Sequence, residues 1–440
     1  MFLKKIREKL NLPIILFMII LINYIPLILP NMVSKESFGV GTIPMMICFI
    51  IEILMLVGYL FKKVKIEKET KFNLILLSII TFVLLAFQAI NFFTTGQVSF
   101  MDIINIGCIF INILLLIVLL LNVKIKEEYI YSFFKCIIYM SLAACLVNVI
   151  LYFKEILITM GFIKSKEWVN IKSFFANRNQ FAFFLYLGII SDFFVMQKSN
   201  KLIYKITLPI FLLNLLLTMS RTGIMAIIIL FGLMFLFTDK ISKKTKIITI
   251  VSLCILAIIA FIAIKMYIPK LWNTIDKYFL RIERIKDLSG RTEIWKVGTD
   301  LLFSSPINFI FGVGRFQSTK LLNIDGKVFT QFHNIYIDLL LTAGLVGFLY
   351  FGFIYFTIIK KVLKSDLDKK FKRLYLVMYI TYGIYIMFES FGRFSIGSSD
   401  TICLIFFLTI PLLHANSIKI IEAKKQDNTE EIKGENEKEE

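Results

Sequence analysis

Short polar motifs interrupt long apolar stretches of this sequence, and the side chains they carry suit the handling of an anion next to a hydroxyl group. Arg221 lies in Ser220-Arg221-Thr222-Gly223 and Arg291 in Ser289-Gly290-Arg291-Thr292-Glu293-Ile294-Trp295, while His333 opens His333-Asn334-Ile335-Tyr336. A guanidinium offers a planar fork for bidentate contact with phosphate, each charge-assisted bond contributing about 1.5–3 kcal/mol. Arg291 opens an expected helix that continues through Glu293, Trp295 and Leu301 with Ser289 as N-cap, and helix N-termini present unpaired N–H groups to anions. His333 and His414 are the only histidines. An imidazole titrates near neutral pH and can take a proton from a hydroxyl. Each residue also has a simpler account: Arg221 as a snorkelling helix end, Arg291 as a solvated loop residue, His333 as an interfacial cap. Glu389 and Arg393, four residues apart, are expected to pair on one helical face. Asn177, Arg178 and Asn179 add polar groups at the start of another apolar stretch.

The elements that must position these residues are membrane helices. Hydrophobic residues make up 58% of the 440, with 45 Phe and a mean hydropathy of +0.79, more than a water-soluble surface tolerates. Apolar runs predict twelve spans at 13–30, 41–61, 72–92, 101–121, 129–153, 174–196, 203–219, 222–237, 247–267, 334–359, 373–390 and 400–415. The first follows Lys4, Lys5, Arg7 and Lys9 but lacks a small-residue cleavage site, which predicts a retained anchor. The fold class expected is therefore all-α and polytopic: a membrane domain over 1–415 that includes one large loop at 268–333, then a charged, disordered tail at 416–440. Within the loop, Tyr278, Phe279, Ile282, Ile285 and Leu288 alternate with basic residues at helical spacing, the pattern of a helix lying on the bilayer surface.

Basic residues set the orientation. The N-terminus and the turns at 62–71, 122–128, 197–205, 238–246 and 360–373 hold half of the 50 Lys and Arg, whereas the short loops opposite hold Lys35, Lys154, Lys164, Lys166, Lys172, Arg221 and Arg393. Both termini are thus expected in the cytoplasm, and Arg221, Arg291, His333 and Arg393 together on the outer face. The net charge of +19 resides mainly in inner loops facing anionic lipid, which argues against nucleic acid as a partner. Cys48, Cys108, Cys136, Cys145, Cys254 and Cys403 all fall inside spans as small hydrophobes, without metal-ligand spacing. No metal or cofactor is expected. Glu52, Asp102, Lys135, Asp192 and Asp338, within or near spans, are assigned no role.

Taken together, these motifs resemble the O-antigen ligase and polymerase group of bacterial membrane glycosyltransferases. The resemblance runs from 174 to 400 and adds Phe311-Gly312-Val313-Gly314 and Ala343-Gly344-Leu345-Val346-Gly347; the family's Asn-Pro-Asn element corresponds to Asn177-Arg178-Asn179, with Arg in place of Pro. It implies a type-C-like glycosyltransferase of the bacterial cytoplasmic membrane that uses undecaprenyl-diphosphate-linked oligosaccharide at the outer leaflet. Arg221 and Arg291 would hold the diphosphate and His333 would act as base, with Arg393, Asn177, Arg178 and Asn179 as further substrate contacts. A flippase and a chain-length regulator are the protein partners this implies. Ile-, Lys- and Asn-rich composition points to an AT-rich genome of the kind found in bacteria without a lipid core acceptor, and so favours a polymerase of capsule or similar glycan. A ligase or protein O-oligosaccharyltransferase is the alternative within the family. From a different class, a lipid-linked oligosaccharide flippase predicts polar residues lining a path through the bilayer.

The topology is testable. In a Cys-free background, Ser289→Cys is labelled by an impermeant thiol reagent on intact cells and Lys364→Cys is not; labelling of position 364 alone inverts the topology.

Overall fold

The computed structural model describes residues 127–160, 171–175, 177–239, 241–268, 290–324, 327–329, 331–392 and 402–417, with the single positions Ala86, Trp272 and Asp276. The four spans expected before residue 127 (Ala86 apart), the surface helix expected at 278–288, Ser289, Arg393, Glu52, Asp102 and the tail from 418 lie outside the described residues. The count of twelve rests partly on those four spans.

Each of the other expected spans is a helix: α1 (Glu127–Leu151), α3 (Arg178–Met196), α4 (Leu202–Leu217), α5 (Arg221–Phe237), α6 (Lys243–Tyr267), α10 (Ile335–Lys364), α11 (Lys369–Tyr385) and α12 (Leu404–Ser417). A short α2 (Phe153–Thr159) follows α1. By length and apolarity α1, α3, α6 and α10 can cross a membrane. The 16-residue α4 and 17-residue α5 rise only about 24–26 Å at 1.5 Å per residue, less than the roughly 30 Å of bilayer hydrocarbon. The described part of the expected loop is ordered as α7 (Arg291–Phe303), α8 (Pro306–Phe311), α9 (Arg315–Lys320) and a minimal antiparallel ladder, β1 (Asn323–Ile324) with β2 (Lys327–Val328).

Side-chain caps fix where several helices begin. Asn177 Oδ1 accepts from Gln180 N at 2.9 Å to start α3, and Ser220 Oγ accepts from Gly223 N at 3.4 Å to start α5. Asn334 Oδ1 accepts from Tyr336 N at 2.9 Å and Ile337 N at 3.3 Å to start α10. Each bond satisfies a donor that the first helical turn leaves open. Gly290, in the left-handed region at φ 83°, occupies the N-cap position of α7, not the expected Ser289.

α3 is apolar on every face and sits in the centre: Phe181 through Val195 is buried almost without interruption, packed against α1, α4, α5 and α11. Phenylalanine fills this core, with Phe134 stacked on Phe194 at 4.5 Å and Phe183 on Phe391 at 4.6 Å between ring centres. α6, the most hydrophobic of the candidate spans at a mean hydropathy of 3.2, is not buried by any of the described residues. One polar clamp crosses the core, where Asn148 Nδ2 donates to Asn214 Oδ1 at 3.0 Å and Asn148 Oδ1 accepts from Ser173 N at 3.1 Å.

Two glycine motifs in the sequence prove to be partners. α10 is kinked at Gly344, whose φ of 63° and ψ of −167° interrupt the helix. The kink leaves Leu341 O exposed to Val313 N and Gly314 N, which donate to it at 2.8 and 2.9 Å. Backbone therefore lies directly on backbone: a Cβ on Gly344 would stand 2.2 Å from Ile310 O, and one on Gly312 2.7 Å from Gly344 N. Ile294, Leu302, Val313, Leu322, Phe332 and Leu341 close a small separate core over this junction.

Gly344→Ala should consequently lower the melting temperature of detergent-purified protein, since the φ alone costs about 1–3 kcal/mol and the clash adds to it. Gly232→Ala, where a Cβ meets nothing within 4 Å, is the control and should be neutral or stabilising. Equal melting of both variants would remove the close approach from the account.

Candidate active site

The N-terminal ends of α3, α5, α7 and α10 and the turn after α11 meet at one end of the bundle, around the carboxylate of Glu389. Arg291 Nη2 donates to Glu389 Oε1 at 2.9 Å, and Asn179 Nδ2 donates to the same oxygen at 2.7 Å. His333 Nδ1 stands 3.6 Å from Oε2, close enough for an ion pair but beyond a hydrogen bond. Ser220 Oγ extends the network by donating to Asn179 Oδ1 at 3.0 Å. The Glu389 side chain is 1% exposed, against 16% for Arg291 and 26% for His333, so the carboxylate forms the floor and the cation and imidazole line the opening.

Positive charge concentrates here. Arg178 feels the charges of Arg221 and Arg291 as well as that of Glu389, which gathers three guanidinium groups around Arg178 and one carboxylate. Such an excess of cations over anions suits a polyanionic ligand.

His333 is held by its backbone. Trp295 Nε1, on α7, donates to Phe332 O at 2.9 Å, and Ile335 N donates to Ile386 O at 3.0 Å, so contacts on both sides fix the residue. His333 itself has φ 52°, and Met219, just before Ser220, has φ 53°. Left-handed backbone at non-glycine residues costs about 1–3 kcal/mol and persists where surrounding contacts enforce it. Gln331 Nε2 lies 3.2 Å from His333 Nδ1, leaving the ring with an amide neighbour on the nitrogen that also faces Glu389. Adjoining the site, a cavity of about 220 Å³ between α10 and α11 is lined almost entirely by apolar and aromatic groups, including Ile335, Tyr336, Phe351, Tyr382 and Ile386.

Of the residues singled out in the sequence, Arg291, His333 and Asn179 converge directly, and Arg178 and Arg221 share their electrostatic field. Asn177 caps α3. The expected Glu389–Arg393 helical pair does not form as such: α11 ends at Tyr385, so Glu389 lies in the following turn and makes its ion pair with Arg291. Arg393 is outside the described residues. Glu389 as the centre, and Ser220, Trp295 and Gln331 as its surroundings, emerge only from the structure; an acidic residue at the end of an apolar span is the available signal for Glu389, and its partner Arg291 is not one that i, i+4 spacing can find.

Residues 206–352 match the model of the family described as O-Antigen ligase. This supports membership of the O-antigen ligase and polymerase family, a glycosyltransferase-like family whose substrates are lipid-linked oligosaccharides in a membrane. No curated protein matches the chain. The O-antigen ligase match includes Ser220, Arg221, Arg291, Trp295 and His333, whereas Asn179 and Glu389 lie on either side of it. Its two ends are thus tied together by residues the match does not contain.

Trp295→Phe keeps an aromatic ring, though a smaller one, and removes the hydrogen bond. Loss of the bond should cost about 0.5–1.5 kcal/mol in stability, with lost packing added to it, but turnover should fall by about ten- to a hundredfold, because the displaced backbone carries His333. Wild-type turnover in a folded Trp295→Phe protein would show that this bond does not position the imidazole.

Proposed function

We propose that the protein is a polysaccharide polymerase that joins undecaprenyl-diphosphate-linked oligosaccharide repeats at the outer leaflet of the bacterial cytoplasmic membrane. The supporting observation is the meeting of Arg291 and His333 over a buried carboxylate, with Arg178 and Arg221 beside them, at the end of an apolar bundle. A diphosphate carries the charge that this group of cations lacks, and the neighbouring apolar cavity suits a hydrocarbon chain.

In this reading Arg221 and Arg291 grip the diphosphate of the donor, which holds the anomeric carbon near His333. The acceptor hydroxyl attacks that carbon as its proton passes to His333. The new glycosidic C–O bond forms while the bond from the anomeric carbon to the diphosphate oxygen breaks. The leaving undecaprenyl diphosphate keeps the electron pair, and the arginines stabilise its charge, the role a metal ion plays in other glycosyltransferases.

Reconstituted protein supplied with lipid-linked repeats tests this. Arg221→Lys and Arg291→Lys keep the charge but lose the planar fork, and should abolish most long glycan. His333→Ala should still bind donor while elongation falls by about 10²- to 10⁴-fold and short repeats accumulate on the outer leaflet. Elongation by His333→Ala at the wild-type rate would refute the base; repeats trapped on the inner leaflet would identify a flippase instead.

A further inference from the structure

Glu389 occupies the position a diphosphate would have to enter. It is the only side-chain partner of Arg291 among the described residues, through a single contact from Nη2. The bond therefore uses one donor of a guanidinium that has five. Its other oxygen already faces His333 Nδ1, 3.6 Å away, so a small rotation of the carboxylate completes a hydrogen bond there. At present the nearer neighbour of Nδ1 is the Gln331 amide nitrogen at 3.2 Å. The same amide nitrogen is 3.5 Å from Nε2, so it can donate to whichever ring nitrogen lacks the proton and does not fix the tautomer. A carboxylate can only accept. Its contact requires the proton on Nδ1 and leaves the Nε2 lone pair open.

We propose that Glu389 is an exchangeable counterion that couples donor binding to the state of His333. In the unliganded protein it neutralises Arg291; when a diphosphate takes the guanidinium, the carboxylate turns to His333 Nδ1 and fixes the imidazole in the tautomer whose Nε2 can accept the hydroxyl proton. No net proton is gained or lost: where the ring starts with its proton on Nε2, one leaves for solvent and one joins Nδ1 from it. Glu389 acts through His333 and is a positioning residue. Asn179, bonded to Oε1 at 2.7 Å and anchored by Ser220, is the pivot about which Oε2 swings. The arrangement would leave the base unset until donor is in place. The inference rests on the diphosphate reading above.

Inorganic pyrophosphate is the probe, with full-length protein in nanodiscs. Glu389→Gln removes the competing carboxylate, so pyrophosphate should bind at least about tenfold tighter, relieving like-charge repulsion. Turnover with lipid-linked repeats should fall by between about 10²- and 10⁴-fold, as an amide in place of the carboxylate selects the wrong tautomer. Tighter anion binding together with slower turnover is a split that simple loss of structure does not produce. Unchanged or weaker pyrophosphate affinity in a Glu389→Gln protein with wild-type melting overturns the proposal. A second measurement needs no variant at Glu389. With two histidines in the chain, ¹⁵N-histidine labelling gives two imidazoles, and the His333 signals are those lost in His333→Gln. At pH 8, pyrophosphate should convert the His333 signals to a pyrrole-like Nδ1 and a pyridine-like Nε2 and leave His414 unmoved. Saturable pyrophosphate binding without that conversion refutes the exchange alone, while absence of pyrophosphate binding in both proteins refutes the diphosphate reading with it.

Discussion

A carboxylate that is almost wholly withdrawn from water holds the candidate site together. Burying Glu389 is tolerable only because Arg291, Asn179 and His333 surround it, and the three come from α7, α3 and the residue before the cap of α10. One side chain thus fixes the relative placement of segments more than two hundred residues apart. Replacing a buried ion pair by apolar groups of similar shape is often neutral or stabilising, so stability alone is a poor reason for an ionic centre here. An anion-binding function gives a better one: the charges that hold the site closed are also the charges a diphosphate would meet.

That centre needs a rigid frame, and the glycine junction provides it. Because Gly312 and Gly344 let two backbones touch, α8 lies against the kink of α10 and its following turn donates to the carbonyl the kink releases. The same junction sets the height at which α7 crosses α10, and α7 brings both Arg291 and Trp295. Trp295 in turn holds the backbone from which His333 projects. Glycine, tryptophan and histidine motifs that are separate in sequence form one mechanical path from the membrane helix to the imidazole.

The opposite end of the bundle carries polar contacts of a different kind. Glu127 meets Lys198 at 2.6 Å and His414 at 3.4 Å, and Tyr375 lies 2.8 Å from His414. Asp239, just after α5, pairs with Arg373 of α11. These contacts join α1, α3, α5, α11 and α12, and three of these, α3, α5 and α11, also reach the Glu389 site, with an aromatic core between. His414, buried among Tyr131, Phe371 and Tyr375, packs as an aromatic core residue.

Hydropathy is enough to read the apolar helices from 127 onward, because each depends on the chain's local apolar length. The caps at Asn177, Ser220 and Asn334 emerge only from the structure, and the one cap expected from the sequence, Ser289, gives way to Gly290. The chemistry of Arg221, Arg291 and His333 was likewise legible, since a fork of donors and an imidazole have their properties wherever they stand. What only the tertiary structure decided was partnership. Local periodicity offers Arg393 to Glu389, but the end of α11 at Tyr385 removes the helical spacing that argument needs, and Arg291 pairs with Glu389 from 98 residues away. Local reading also treated the two glycine motifs as independent signals, whereas a Gly–Gly contact is a property of two backbones brought together. A sequence specifies which groups can form ion pairs or close contacts; which of them do so depends on distances that exist only once the helices have packed.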